Sequence, residues 1–269
     1  MKKTLYDYGY GTAWQNALVQ HREGYYTSVA DFHEHDFYEI NLILSGNVNI
    51  LLSDQTEEGI GSRIVLTKPG TPHFVSCKPD TLYSRIYLVF SKDFIENYIP
   101  EWDKLSGIFG KNGRIVKISH DQKDLCKTVI KSIQDETDLF RQRILILYLL
   151  SYIEDFAQKG DVGFTQIPPY IINALTFIDE HYSEKITAEK LAAELGISRT
   201  TLMTSFKKYT GSTLNDYIIH CRLKNVMQMI GEGTTEQEAA ERCGLGDASG
   251  LIRCFKRKFG MTPKQYLVQ

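Results

Sequence analysis

The chain has 269 residues, 42% of them apolar and 24% charged, with a formal net charge of −2. That length predicts about two domains, and the composition is that of a soluble globular protein rather than a disordered, collagenous or disulfide-rich one. The longest apolar run, Ile144 to Leu150, falls far short of the roughly 20 residues a membrane span needs, and no apolar segment follows Met1-Lys2-Lys3, so a cytoplasmic protein without membrane contact is expected.

Residues 1–30 are rich in aromatics: Tyr6, Tyr8, Tyr10, Trp14, Tyr25 and Tyr26. They read as an arm or edge strands, packed on their own domain or covering a ligand. From Phe32 to Phe90 the apolar period becomes two. Strands are expected at Tyr38–Leu44, Val48–Leu52, Arg63–Leu66, Phe74–Cys77 and Leu82–Phe90, with turns at Ser45-Gly46-Asn47 and Pro69-Gly70-Thr71-Pro72. Many short strands punctuated by Gly and Pro predict a small jelly-roll barrel whose interior would take a ligand.

Within this region stand His33-x-His35-x3-Glu39-x6-Gly46 and, later, His73 after the Pro-Gly-Thr-Pro turn. The pair is similar to the two motifs of cupins, in which such residues hold a metal. The second motif is compressed relative to that pattern. Three roles stay open: metal ligation by His33, His35, Glu39 and His73, polar lining of a small-molecule pocket, and structural hydrogen bonding. Pocket lining is the expectation, with no metal or other cofactor. Tyr38, Asn41 and Arg85 are added as polar contacts, and Trp14 or Phe32 as rings to stack on a sugar.

Residues 93–157 return to helical spacing. Leu125, Val129 and Ile133 make one stripe, and Leu139–Phe156 is apolar on more than one face. One side can rest on the barrel. The other is either buried by the preceding helix or a homodimer surface. Gly160 to Pro169, with two Gly and two Pro, reads as a linker, which divides the chain into residues 1–160, 161–169 and 170–269. The acidic excess lies before it, 18 basic against 22 acidic residues, whereas from Gln166 on the count is 13 against 11. Cys77, Cys126, Cys221, Cys243 and Cys254 are odd in number and widely spaced, so neither a disulfide frame nor a zinc finger is expected.

The last part is a duplication. Ala192 and Gly196 recur as Ala240 and Gly244, and Leu202, Phe206, Lys207 and Gly211 recur as Leu251, Phe255, Lys256 and Gly260. Each copy has the grammar of a helix-turn-helix. In the first, Thr187 caps a helix, Gly196 ends it, and Ser198 caps the next. In the second, Thr235 and Glu238 make a capping box, Gly244 ends the helix, and Asp247 or Ser249 starts the next. Leu214–Ile230 is the helix between the copies. The second helix of each copy is the recognition helix. Its inner stripe, Leu202-Phe206-Tyr209 or Leu251-Phe255-Phe259, leaves Ser198, Arg199, Thr200, Met203, Thr204, Lys207 and Lys208, and Ser249, Gly250, Arg253, Lys256 and Arg257, to face double-stranded DNA.

Gly244-Leu245, Ser249, Leu251, Arg253, Phe255-Lys256, Gly260, Thr262-Pro263 and Tyr266 resemble the closing signature of the AraC/XylS transcription regulators. Gly250, Leu251 and Leu267 depart from it. The resemblance implies an α+β chain of two domains, a cupin-like jelly-roll with a helical dimerisation segment and an all-α domain of two helix-turn-helix units. It also implies a homodimer, a small-molecule effector such as a sugar, altered promoter occupancy or contact with RNA polymerase, and no enzyme activity. A metal-dependent cupin enzyme or metal sensor fused to a DNA-binding tail is the alternative, and a barrel serving only as a scaffold is a third.

Overall fold

A computed structural model of the chain describes residues 17–25, 32–53, 55–78, 81–157 and 165–267. Trp14, with Tyr6, Tyr8, Tyr10 and Tyr26, lies outside the described residues.

The described strands are β1 (Ala17–Tyr25), β2 (Phe37–Ser45), β3 (Asn47–Leu52), β4 (Gln55–Ile60), β5 (Arg63–Thr67), β6 (His73–Cys77), β7 (Leu82–Ser91), β8 (Arg114–Lys117) and β9 (Thr165–Gln166). They form two facing sheets, one ordered β1-β7-β2-β5-β8 and the other β6-β3-β4-β9. These are the two walls of the expected jelly-roll. All five expected strands are present, and β1 is an edge strand cut from the aromatic N-terminal region. The mostly polar sequence of β4 and the four-residue Arg-Ile-Val-Lys of β8 carry too little alternation to announce a strand, and pairing to β3 and β5 makes each one. Within the expected linker, Gln55 and Thr56 pair with Gln166 and Thr165, which ties the end of that segment to β4.

Strand β2 explains the architecture. Its first seven residues are buried on both faces, and side chains alternate across a sheet. Tyr38, Ile40 and Leu42 join Leu66, Leu88 and Phe90 in a core outside the first sheet. That core is closed by α1 (Lys92–Ile95), α2 (Trp102–Leu105), α3 (His120–Asp135) and α4 (Leu139–Ala157). The opposite face turns inward, where Ile43 meets Val48, Ile50, Leu52, Val65 and Val75 between the sheets.

The second sheet is also covered on its outside. Residues Leu51 and Phe74, paired across β3 and β6, pack with Ile171, Leu202, Phe206 and Tyr217 of the C-terminal helices. The molecule therefore stacks helices, sheet, interior, sheet and helices.

Those C-terminal helices are α5 (Pro169–His181), α6 (Ala188–Glu194), α7 (Arg199–Thr210), α8 (Leu214–Gly231), α9 (Glu236–Arg242), α10 (Ala248–Phe259) and α11 (Pro263–Leu267). Their ends follow the sequence signals. Thr187, Ser198 and Thr235 accept from the backbone N–H three residues on, and Gly196, Gly211, Gly244 and Gly260 hold positive φ where helices stop. Two details differ. Asp247, not Ser249, caps α10, and the Glu238 carboxylate pairs with Arg242 at 3.7 Å while Thr235 supplies the cap. Helix α8 spans about 27 Å at 1.5 Å per residue. Its first half, with Leu214, Tyr217 and Ile218, belongs to the first unit's core, and Leu223, Val226 and Met227 belong to the second's. All five cysteines are free thiols, and among the described residues no helix is long and apolar enough to cross a membrane.

Candidate functional site

The interior between the sheets turns polar at one end. His33 and His73 form an antiparallel bridge, each backbone N–H donating to the other's carbonyl at 3.0 and 2.8 Å. The ring of His35 lies with its centroid 5.8 Å from that of His33 and 4.9 Å from that of His73. His35 Nε2 stands 3.4 Å from the Glu39 carboxylate, and Asn41 Nδ2 donates to the same group at 3.4 Å. Thr67 is paired opposite Glu39 and so shares its face. Sequence spacing placed His33, His35, Glu39 and His73 together, and the fold unites them by crossing from one sheet to the other.

Burial, then the neighbouring His33, pushes His73 down to about 3, so its imidazole is neutral at neutral pH. Burial alone would raise the Glu39 carboxyl. Its contact with His35 and the fields of the surrounding histidines outweigh that and hold it at about 2. Asn41 Oδ1 and Thr67 Oγ1 are buried and accept no hydrogen bond from the described residues. Buried polar atoms in that condition cost roughly 1–3 kcal/mol each, so the pair marks a place built for a polar guest.

Arg85 also faces the interior, opposite Ile43, but two side-chain rows away from Glu39, roughly 13 Å along the strand. Its guanidinium lies 4.3 Å from the Tyr87 ring centroid and donates to Tyr83 Oη at 3.0 Å. Two expected contacts lie elsewhere. Tyr38 points to the helical side, donating to Glu96 and accepting from Trp102 Nε1, each at 2.9 Å. Phe32 is buried against the first helix-turn-helix unit, and its backbone N–H donates to Tyr217 Oη at 2.9 Å. Trp14 lies outside the described residues.

Tyr217, Asn49 and Thr67 are positions beside the polar end and at its contact with the helices that sequence reasoning missed. Asn49 Nδ2 donates to the Tyr209 carbonyl at 2.7 Å, joining β3 to the end of α7. No local pattern marks these residues, because their roles depend on register and on docking between distant segments.

On the second helix of each unit, the N-cap Ser198 with Arg199, Thr200, Thr204, Lys207 and Lys208 of α7, and Ser249, Arg253, Lys256 and Arg257 of α10, are exposed, while Leu202, Phe206, Leu251 and Phe255 are buried beneath. Met203 is drawn partly into the core beside them. Arg199 Nε pairs with Glu189 at 2.6 Å across the turn, which holds its charge on the protein side. Gly250 is present for closeness: a β-carbon there would stand 2.5 Å from the Leu245 carbonyl oxygen. The missing side chain at that departure from the family signature is a packing requirement of the turn.

Arg222 fixes how the two units sit. It donates through Nε to the Tyr182 carbonyl at 2.7 Å, through Nη2 to Glu184 at 2.6 Å and through Nη1 to Gly244 at 2.9 Å. One side chain on α8 thus binds the end of α5 and the turn of the second unit.

Two family models match the chain, an AraC-like ligand binding domain over residues 16–145 and a helix-turn-helix domain over residues 191–269. The chain is 21% identical over 233 residues to the Msm operon regulatory protein of Streptococcus mutans, covering 86% of this chain and 84% of that one. It is 23% identical over 249 residues to the HTH-type transcriptional activator RhaS of Klebsiella pneumoniae, covering 86% and 85%. It is 29% identical over 226 residues to the uncharacterized HTH-type transcriptional regulator YbfI of Bacillus subtilis, covering 81% and 80%. With a ligand-binding half, a duplicated DNA-binding half and relatives aligned across both, the chain belongs to the AraC/XylS family of transcriptional regulators.

Proposed function

We propose that this regulator is a cytoplasmic homodimer whose interior polar site senses a small molecule and passes its occupancy to the first helix-turn-helix unit. Residues 1–160 sense and dimerise, 161–169 link, and 170–269 bind DNA. The observation that carries this reading is the alternation at the seam. His33 and His73 line the site, and their chain neighbours Phe32 and Phe74 pack with Tyr217 and Phe206. A ligand that moves either histidine moves a residue in contact with α8. Since a ligand shifts an equilibrium only through differential contacts, this shared backbone is a physical route for it.

On the DNA, Thr200, Thr204, Ser249 and Arg253 are placed for base edges, whereas Lys207, Lys208, Lys256 and Arg257 grip phosphates. The length of α8 suits two helices entering successive major-groove faces, about 34 Å apart. The name of RhaS as an activator supports contact with RNA polymerase once DNA is bound. A purely regulatory role, without catalysis, is supported by relatives named as regulators over more than four-fifths of the chain.

The test uses an operator obtained by in vitro selection on the full-length chain. Candidate sugars, sugar acids and divalent metals are first ranked by thermal shift, and operator Kd is then measured with and without the best ligand. Wild-type affinity should change at least fivefold, within the usual range of allosteric coupling. Asn49→Ala combined with Leu51→Ala at the seam should bind the ligand and lose the change in affinity. A seam variant that responds as wild type does would overturn the route.

A further inference from the structure

We propose that Arg222 sets the half-site spacing that this regulator accepts, by locking the second helix-turn-helix unit to the first in one orientation. This role rests on the tandem reading of DNA proposed above.

The two units have separate cores. Leu214, Tyr217, Ile218 and Cys221 of α8 lie in the first with Leu202 and Phe206, whereas Leu223, Val226 and Met227 lie in the second with Leu251 and Phe255. Arg222 stands between those two sets, at the middle of α8. Long helices curve readily, and a bend at that point would swing α10 relative to α7. Packing inside either core leaves the bend open. A contact that spans both units closes it.

Arg222 makes that contact. On the side of the first unit, Nε donates to the Tyr182 carbonyl at 2.7 Å and Nη2 to the Glu184 carbonyl at 2.6 Å, while Nη1 donates to the Gly244 carbonyl of the second unit at 2.9 Å. Tyr182 is the C-cap of α5, and Gly244 follows Cys243, the C-cap of α9. The cation therefore sits at the C-terminal ends of one helix from each unit, where the helix dipole favours positive charge. A guanidinium is a rigid planar fork, so three acceptors in fixed directions define its orientation, which a lysine ammonium cannot reproduce. Beside it the two backbones meet: a β-carbon on Gly244 would stand 3.3 Å from Arg222 Cζ and 2.4 Å from the Ser183 carbonyl oxygen.

The consequence appears on DNA. One added base pair moves the second half-site about 3.4 Å along the duplex and about 35° around it. Units locked together can follow only by deforming the duplex, at a cost in energy. Units free to swing about α8 follow by bending the protein. The three bonds of Arg222 all go to the protein's own backbone, so it is a positioning residue that acts through where Arg253 and its neighbours are carried.

The test uses the selected operator, remade with one base pair removed from or added to the spacer within the two-part site of each chain. Full-length Kd is measured by fluorescence anisotropy. Wild type should lose about tenfold or more on either altered spacer. Arg222→Met keeps the stem without the fork. It should bind the selected spacing about three- to tenfold more weakly, because the loosened units must be ordered on binding, and lose only about threefold or less more on the altered spacers. If Arg222→Met does not fold, Arg222→Lys is judged by the same ratio. Val129→Ala, which loosens α3 in the first domain, should keep the wild-type penalty. A wild-type penalty in the Arg222 variant would leave the residue a structural support only and overturn the proposal, as would loss of the penalty in Val129→Ala. Wild type indifferent to spacing would overturn the tandem reading, and this role with it, before any substitution is made.

Discussion

A β-carbon on Gly244 would stand 2.4 Å from the carbonyl oxygen of Ser183, an approach only glycine permits. The same turn holds φ at +74° and gives its carbonyl to Arg222. Gly244→Ala should therefore cost about 1–2 kcal/mol for the left-handed backbone and about 1–3 kcal/mol for the overlap with Ser183. Gly260 is the control, since its φ is +72° and no atom lies within 4 Å of its would-be β-carbon. Gly260→Ala should incur the first cost alone. Urea unfolding followed by helical circular dichroism compares them, and equal losses would remove the close approach from the account.

Gly250 presents a contest of signs. Glycine to alanine inside a helix ordinarily gains about 1 kcal/mol. Here the new methyl would meet the Leu245 carbonyl at 2.5 Å, a backbone group that cannot rotate away. Overpacking costs about 1–3 kcal/mol, so Gly250→Ala should lower the melting temperature. A higher melting temperature would show that propensity wins and that the turn has slack.

These two glycines mark how far sequence reaches. Periodicity, caps and duplication disclose both helix-turn-helix units and the helix between them, α6 to α10, because those signals are local and act within one turn of the chain; the short α11 at Pro263–Leu267 had no such signal. The histidines and Glu39 are legible as a spaced motif. The seam is not: Asn49 and Tyr209 are 160 residues apart, and their hydrogen bond exists only once the second sheet docks on α7. Tyr38 was misplaced for a related reason. Both faces of β2 are buried, so a polar-tipped residue between apolar neighbours gives no sign of which side it serves until Trp102 and Glu96 are seen to meet its hydroxyl.

Arg253 and Lys256 should separate base readout from phosphate grip. Both are exposed on α10, Arg253 nearer its N-terminal end, where side chains enter the groove. Arg253→Ala should cost about 1–3 kcal/mol on the selected operator and relax preference at one position, leaving random DNA nearly unaffected. Lys256→Ala should weaken all sequences alike and reduce the salt slope by about one unit. Fluorescence anisotropy against salt on specific and random duplexes measures both. Equal losses on the two duplexes for Arg253→Ala would sink its assignment to base edges.

Tyr38 supplies the pH dependence. Burial, with further contributions from Glu96, raises its phenol from 10.0 to about 12, against the opposing hydrogen bond from Trp102. The folded pKa lies above the unfolded one, so the stabilisation is fully present below pH 10 and is lost as pH rises through about 12. Tyr38→Phe should cost about 1–2 kcal/mol at pH 7 through its lost hydrogen bonds, yet lose less further stability than wild type between pH 10 and 12. Melting temperatures across that range provide the comparison. Parallel curves would place the hydroxyl outside the core, and a change in ligand affinity at neutral pH would return Tyr38 to the sensing site.

On α4, Ile146, Leu149 and Ile153 bury one side in the core, while Phe140, Ile144 and Tyr148 recur every four residues on the other side, exposed by 68%, 48% and 48%. Water-facing aromatic and aliphatic side chains in one stripe are what a second copy of the same helix would cover, since a two-fold axis brings identical patches together. Phe140→Asp with Ile144→Asp leaves the buried side intact, so the monomer should keep its melting profile while light scattering shows the mass halved. Operator affinity should then fall about a hundredfold or more, because a two-part site loses the effective concentration that pairing supplies. A double variant that stays dimeric would put the interface elsewhere. One that becomes monomeric but binds DNA as before would mean that a single chain, with both its recognition helices, reads the whole operator.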